Sequence, residues 1–121
     1  MTIRTSLFAL LVSTLLLSSC GDKRLYYWGK YESIVRQSYT EPDEMDVSTQ
    51  ISELEIDLID AKDSGKKIAP GFYAHLGMMY AKQGDIVSAE EMFLQEKALF
   101  PESSVLIDGM LNRVKKNQGK Q

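Results

Sequence analysis

Residues 70–103 of this chain read PGFYAHLGMMYAKQGDIVSAEEMFLQEKALFPES. Two small residues, Gly77 and Ala89, stand where a pair of antiparallel helices would have to approach each other closely. Gly84 suits the tight turn between such helices, and Pro101 would stop the second one because proline cannot continue a helix. The stretch therefore predicts one helical hairpin.

This stretch resembles the 34-residue tetratricopeptide repeat, a helical hairpin that stacks on neighbouring hairpins. The matches are an aromatic residue, a Leu-Gly pair and a tyrosine, then an alanine, a phenylalanine and a proline: Tyr73, Leu76, Gly77, Tyr80, Ala89, Phe93 and Pro101. Glu96 departs from the pattern, since a small residue is usual at that position. The resemblance implies a hairpin that packs and binds, and it says nothing about chemistry.

Further helices are predicted on both sides of the hairpin. The first, over about Tyr27–Tyr39, and the second, over Val47–Asp63, have apolar residues at spacings of three and four. These residues are Trp28, Tyr31, Val35 and Tyr39 in the first helix, and Val47, Ile51, Leu54, Leu58 and Ala61, widened by Ile59, in the second. The acids of the second helix, Glu53, Glu55, Asp57 and Asp60, are expected mostly away from that stripe. Pro42 and the acids between the two helices predict a solvated loop rather than a calcium site, because the ligand spacing is absent.

A last helix, over about Ser103–Lys116, has Leu106, Met110 and Val114 on one face and would cover the end of the stack. We therefore predict an all-α fold over residues 27–117, with residues 118–121 as a disordered tail. The architecture is a short antiparallel helical stack. It consists of a tetratricopeptide-like hairpin flanked by a degenerate hairpin and a C-terminal capping helix.

The beginning of the chain has the parts of a secretory signal. Arg4 is the only charge within residues 1–19, and an apolar run extends from Leu7 to Val12 and resumes at Leu15. That run is about half of the roughly 20 residues that span a bilayer, so cleavage is expected rather than a transmembrane helix. Leu17-Ser18-Ser19-Cys20 resembles the lipobox of bacterial lipoproteins. The resemblance implies a diacylglycerol and an N-acyl chain on Cys20.

Cys20 is the only cysteine, which excludes an internal disulfide. We expect residues 1–19 to be removed and residues 20–26 to form a lipidated N-terminus and tether. Gly21 stands where Gram-negative lipoproteins retained at the inner membrane tend to have aspartate. This implies the periplasmic face of the outer membrane, while Asp22 at the next position leaves the inner membrane open as an alternative.

Little in the sequence indicates chemistry. Removal of Arg4 with the signal peptide lowers the formal net charge from −3 to −4, and mild acidity argues against a nucleic-acid surface. The chain has no Gly-x-Ser-x-Gly elbow and no glycine-rich phosphate loop. His75, the only histidine, is expected to be a partly exposed helix residue. We therefore expect a protein that is not an enzyme, with no metal, no small-molecule substrate and no cofactor besides the acyl chains on Cys20.

The binding interpretation follows from the tetratricopeptide resemblance. The first helix of such a hairpin lines a concave surface, and the matching residues here are Gly71, Ala74, Met78, Ala81 and Lys82. Small residues and a methionine would leave an adaptable apolar groove for a partner helix or extended peptide. Alternatively, the chain's own N-terminal helix fills the groove. The aromatic residues Tyr26, Tyr27, Trp28 and Tyr31 decide between the two, and Trp28 and Tyr31 are themselves candidate contacts.

Taken whole, the lipobox, the LYYWGKY segment at residues 25–31 and the PGFYAHLGMMY segment at 70–80 resemble an uncharacterised family of small proteobacterial lipoproteins. Members are often encoded beside a lipoprotein similar to the curli secretion channel subunit, which implies a multi-lipoprotein envelope assembly. The first hypothesis is a lipid-anchored adaptor that binds other envelope proteins or lipoproteins. The second is a peptidoglycan-binding or peptidoglycan-modifying lipoprotein.

Overall fold

A computed structural model of the protein describes residues 24–42 and 44–118. The predicted signal peptide and the lipidation of Cys20 lie outside these residues. In the described part of the chain, five α-helices follow one another: α1 (Tyr31–Thr40), α2 (Val47–Asp63), α3 (Phe72–Gln83), α4 (Ile86–Leu99) and α5 (Ser104–Gln118). Two short strands, β1 (Tyr26–Tyr27) and β2 (Lys67–Ile68), pair in parallel, and a 3₁₀ turn, Pro101–Ser103, precedes α5. The predicted all-α helical stack is confirmed.

The predicted hairpin is formed by α3 and α4. Gly84 ends α3 in the left-handed conformation, with φ +88°, and the Asp85 carboxylate then accepts a hydrogen bond from the backbone N–H of Ser88. A Cβ added to Gly77 would lie 2.8 Å from two ring carbons of Phe93. The helices can therefore approach this closely only because residue 77 has no side chain.

Helix α2 has the predicted bounds, Val47–Asp63. Asp46 caps it by accepting a hydrogen bond from the backbone N–H of Thr49 at 2.6 Å, and this bond is the first cause of the lowered pKa of Asp46. Two details of the stripe are wrong. Ile59 is 59% exposed, whereas Asp57, expected on the polar side, is buried.

The N-terminal segment differs from the prediction. Helix α1 begins at Tyr31, four residues later than expected, because Tyr26 and Tyr27 pair with Lys67 and Ile68 in the sheet. Tyr26 therefore belongs to the folded domain rather than to the tether. Tyr39, expected on the apolar face, is 83% exposed.

Helix α5 covers α3 and α4, as expected of a capping helix. Its buried residues are Ile107 and Val114, in one cluster with Ala74, Ala89 and Phe93. Leu106, predicted on this face, is 58% exposed, so the buried stripe begins one residue later than expected.

A second cluster joins α1, α2 and α3: Ile34, Ile51, Leu54, Phe72, Leu76 and Met79. Helix α3 thus contributes to both clusters.

The stack has two distinct ends. Because neighbouring helices are antiparallel, the start of α3 and the end of α4 lie at one end, together with the sheet and the end of α2. We call this the lower end. The turn at Gly84 and the end of α5 lie at the opposite, upper end. No helix within residues 24–42 and 44–118 is long and apolar enough to cross a membrane.

Candidate functional site

An open groove lies at the upper end, between the second halves of α3 and α5. Its volume is about 310 Å³, and the residues that line it are mainly apolar: Met78, Ala81, Phe93, Met110 and Val114, with Lys82, Arg113 and Asn117 at the edge. We call it the upper groove. Its floor belongs to the cluster that joins α3, α4 and α5, and both charges at its edge are positive.

Two of the predicted contact residues, Met78 and Ala81, line the upper groove and are half-buried. Ala74 does not line it. It is 7% exposed, in one cluster with Ile107 and Phe93. The prediction of Ala74 as a contact residue is wrong, because α5 covers it and leaves it almost no surface for a partner.

The other two predicted contacts, Trp28 and Tyr31, lie at the start of α3 rather than beside the upper groove. Their rings stack with centroids 6.2 Å apart, and the Tyr31 ring lies 5.1 Å from Phe72 and 5.8 Å from His75. None of residues 24–40 lines the upper groove. The groove is therefore not filled by the chain's own first helix.

His75 is buried, contrary to the prediction of a partly exposed side chain. It is 8% exposed, and its Nε2 has no hydrogen-bond partner among the described residues. Burial, and after it the positive charge of Lys82, lowers the pKa of His75. The spacing within α3 could not reveal this burial because the covering Tyr31 ring belongs to another helix.

Glu96, the residue that does not fit the tetratricopeptide pattern, is buried near the start of α3. It is 2% exposed, and its Oε1 accepts a hydrogen bond from the backbone N–H of Gly71 at 2.7 Å, at the start of α3. A carboxylate is favourable at this position because the N-terminus of a helix bears partial positive charge. Burial, followed by the charge of Glu96, raises the pKa values of Tyr31 and Tyr73.

Asp57 holds the N-terminal segment in place. Its carboxylate accepts a hydrogen bond from the backbone N–H of Lys30 at 2.7 Å. It occupies the space that a Cβ on Gly29 would need, and Gly29 has φ +46°. Burial is the largest cause of the raised pKa of Asp57. This contact positions the turn before α1, and with it Trp28 and Tyr31.

The two buried carboxylates, Asp57 and Glu96, thus bind backbone groups in separate places rather than forming a common centre. Within the part of the chain that the structure describes, no three side chains of His, Cys, Asp or Glu are grouped so that they could hold a metal ion. The upper groove is an open, mainly apolar surface that is accessible to another molecule.

Comparison with known proteins identifies the family. Residues 25–110 match the family model described as a domain of unknown function, DUF4810. The match covers well over half of the chain, and the protein therefore belongs to this family. No curated protein and no solved structure matches the chain.

Proposed function

We propose that this protein is a lipoprotein anchored to the membrane through Cys20, and that its helical domain acts in the periplasm as a non-enzymatic adaptor in an envelope assembly. The observation that supports this function best is the upper groove, an open apolar surface with a basic edge. The proposed location is the outer membrane, because Gly21 rather than an aspartate follows Cys20.

The groove favours a protein partner over a small molecule. Its volume of about 310 Å³ is at the lower limit of the roughly 300–1,000 Å³ typical of small-molecule sites. Met78 and Met110 supply flexible, polarisable side chains that adapt to different apolar shapes. Lys82 and Arg113 would attract a carboxylate at the edge. The partner segment is therefore a helix or extended peptide with an apolar anchor next to an acidic residue.

The lipid anchor would keep the protein at the membrane and so determine which partners it can reach. Each methylene of an acyl chain buried in a bilayer contributes about 0.8 kcal/mol, and two or three chains give stable attachment. The partners within reach are then other lipoproteins and membrane-bound envelope proteins. A lipoprotein similar to the curli secretion channel subunit is the candidate that the family resemblance implies.

The groove is tested by recovery of the partner after crosslinking in intact cells and purification from detergent-solubilised membranes. Met78→Glu places a charge on the apolar floor, and Arg113→Glu reverses a charge at the edge with less risk to the core. Lys116→Glu is the matched control, because it makes the same change of charge on α5 outside the groove. We expect both groove variants to lose the partner and the control to keep it.

Circular dichroism shows whether each variant keeps its helices. If Arg113→Glu stays helical and recovers the same partner as the unchanged protein, the groove is not the binding site. Cys20→Ala tests the anchor: we expect loss of the acyl mass and loss of the partner. Recovery of cell-wall fragments instead of envelope proteins, with binding of the protein to sedimented sacculi, would contradict the adaptor function and support peptidoglycan binding.

A further inference from the structure

A second and larger cavity lies at the lower end of the stack. Its volume is about 740 Å³, and it is open to solvent between the end of α2, strand β2 and the end of α4. Three aromatic residues, Tyr26, Tyr73 and Phe100, contribute to its lining. The Tyr26 and Phe100 rings meet edge to face, with centroids 6.2 Å apart. We call this cavity the lower pocket.

The lower pocket combines apolar walls with positive charge. Ile59 and Leu99 belong to its lining and are 59% and 54% exposed. Lys62, Lys66 and Lys67 line it as well, against Glu102 as the one acid among its lining residues. The lining therefore has an excess of two positive charges, although the chain as a whole has a formal net charge of −3.

The position of the lower pocket connects it to the membrane. Tyr26 belongs to its lining and follows Cys20 by six residues. Six residues of fully extended chain reach at most about 20 Å. If Cys20 is acylated, the lower pocket is kept within about that distance of the acyl chains. Leu25, next to Tyr26, is 75% exposed and adds apolar surface beside the pocket.

We infer that the lower pocket seats an anionic phospholipid of the membrane to which the protein is anchored, with the lipid phosphate at the three lysines and the upper part of an acyl chain against the apolar wall. Lysines next to an anionic membrane surface are attracted to it, whereas exposed isoleucine and leucine favour the boundary between headgroups and acyl chains. The inference rests on the lipid anchor of the proposed function, but not on the upper groove.

Lipid binding in the lower pocket would orient the domain relative to the membrane. An acylated cysteine on a short tether fixes the distance of the domain from the bilayer but leaves the domain free to turn. A lipid bound in the lower pocket would direct the lower end to the membrane. Along α3, Tyr73 in the pocket and Lys82 at the upper groove are nine residues apart, which is about 14 Å of helix. The upper groove would then face the periplasm, open to a partner.

The test measures how close each end of the stack lies to lipid in the full acylated protein. A fluorescent label is placed on Leu99→Cys, at the pocket, or on Val87→Cys, at the upper end of the same helix; both native side chains are more than half exposed. Since Cys20 is the only native cysteine and its thiol is acylated, the label attaches to the new residue alone. The proteins are reconstituted in nanodiscs that contain quencher-bearing phosphatidylglycerol or quencher-bearing phosphatidylcholine.

We expect phosphatidylglycerol to quench the label at position 99 much more than the label at position 87, and more than phosphatidylcholine does. The double variant Lys66→Gln/Lys67→Gln should weaken the quenching about fivefold or more. The matched control is Lys115→Gln/Lys116→Gln, an adjacent pair of exposed lysines near the upper end, and it should leave the quenching unchanged.

Three results would overturn the inference: equal quenching at the two positions, equal quenching by the two lipids, or no effect of the Lys66 and Lys67 substitutions. A label at position 99 that is shielded in detergent and indifferent to added phosphatidylglycerol would mean that the chain's own acyl groups fill the pocket, and that the inference is wrong. The intact mass of each sample separates these outcomes from failure of the anchor itself, because an unacylated protein lacks the mass of the acyl chains.

Discussion

The hairpin α3–α4 and the N-terminal segment from Arg24 to Thr40 acquire their structures in different ways. The hairpin is shaped by residues that are close in sequence. Gly77 and Ala89 allow its two helices to approach each other. Gly84 ends α3, and Asp85, the next residue, caps α4. The N-terminal segment depends on partners far along the chain: strand β2 pairs with β1, and Asp57 binds the backbone of Lys30. The hairpin should therefore be disturbed by local substitutions and the N-terminal segment by substitutions far along the chain.

The largest effect is expected from Gly77→Ala, which tests the close approach within the hairpin. The new Cβ would lie 2.8 Å from the Phe93 ring and 3.1 Å from the carbonyl oxygen of Ala89, so the helices must separate. We expect a loss of about 2 kcal/mol in the free energy of unfolding, measured by urea denaturation.

Gly109→Ala is the control for this substitution. Gly109 lies inside α5, and a Cβ there would meet nothing within 4 Å. The helix preference of alanine over glycine should raise the free energy of unfolding by up to about 1 kcal/mol. Equal effects of the two substitutions would show that the contact at Gly77 is unimportant for the hairpin.

A smaller effect is expected from Asp57→Ala, which tests whether a residue of α2 holds the N-terminal segment. The Lys30 N–H loses its acceptor, but the burial of a carboxylate is also relieved, so the net loss of stability is about 1 kcal/mol. Amide hydrogen exchange should become faster at residues 26–34 and stay nearly unchanged in the hairpin. Asp63→Ala, at an exposed position of α2, is the control. Loss of protection throughout the domain would contradict a role of Asp57 confined to the N-terminal segment.

The smallest effect concerns the contact between the two regions, where Tyr31 covers His75. Because the folded-state pKa of His75 is lowered below the ordinary value of 6.5, its contribution to stability is present above pH 6.5 and is lost as the pH falls through the folded-state pKa. The imidazole is the only one in the chain, so its NMR signals can be followed alone. We expect a midpoint below 6.5, and a shift back towards 6.5 in Tyr31→Ala. A midpoint at or above 6.5 in the unchanged protein would contradict the burial of the neutral side chain.

The same division explains what the sequence could predict. The bounds of α2 and the turn of the hairpin follow from capping residues and glycines next to them in the chain. The burial of Asp57, His75 and Glu96 was missed, because each is buried against an element distant in sequence. The tetratricopeptide resemblance implies a groove at Met78 and Ala81, but it cannot show that α5 covers Ala74. The lower pocket joins residues from both halves of the chain and left no local pattern.

Site-specific photocrosslinking in intact cells tests whether the upper groove binds a partner. A photoreactive amino acid replaces Met78 in the upper groove, or Val87, which is 79% exposed outside it. We predict a crosslink from position 78 to an envelope protein, through a peptide with an apolar anchor next to an acidic residue, and loss of that crosslink in Cys20→Ala. The same crosslinks from both positions, or none from position 78, would contradict the adaptor function assigned to the groove.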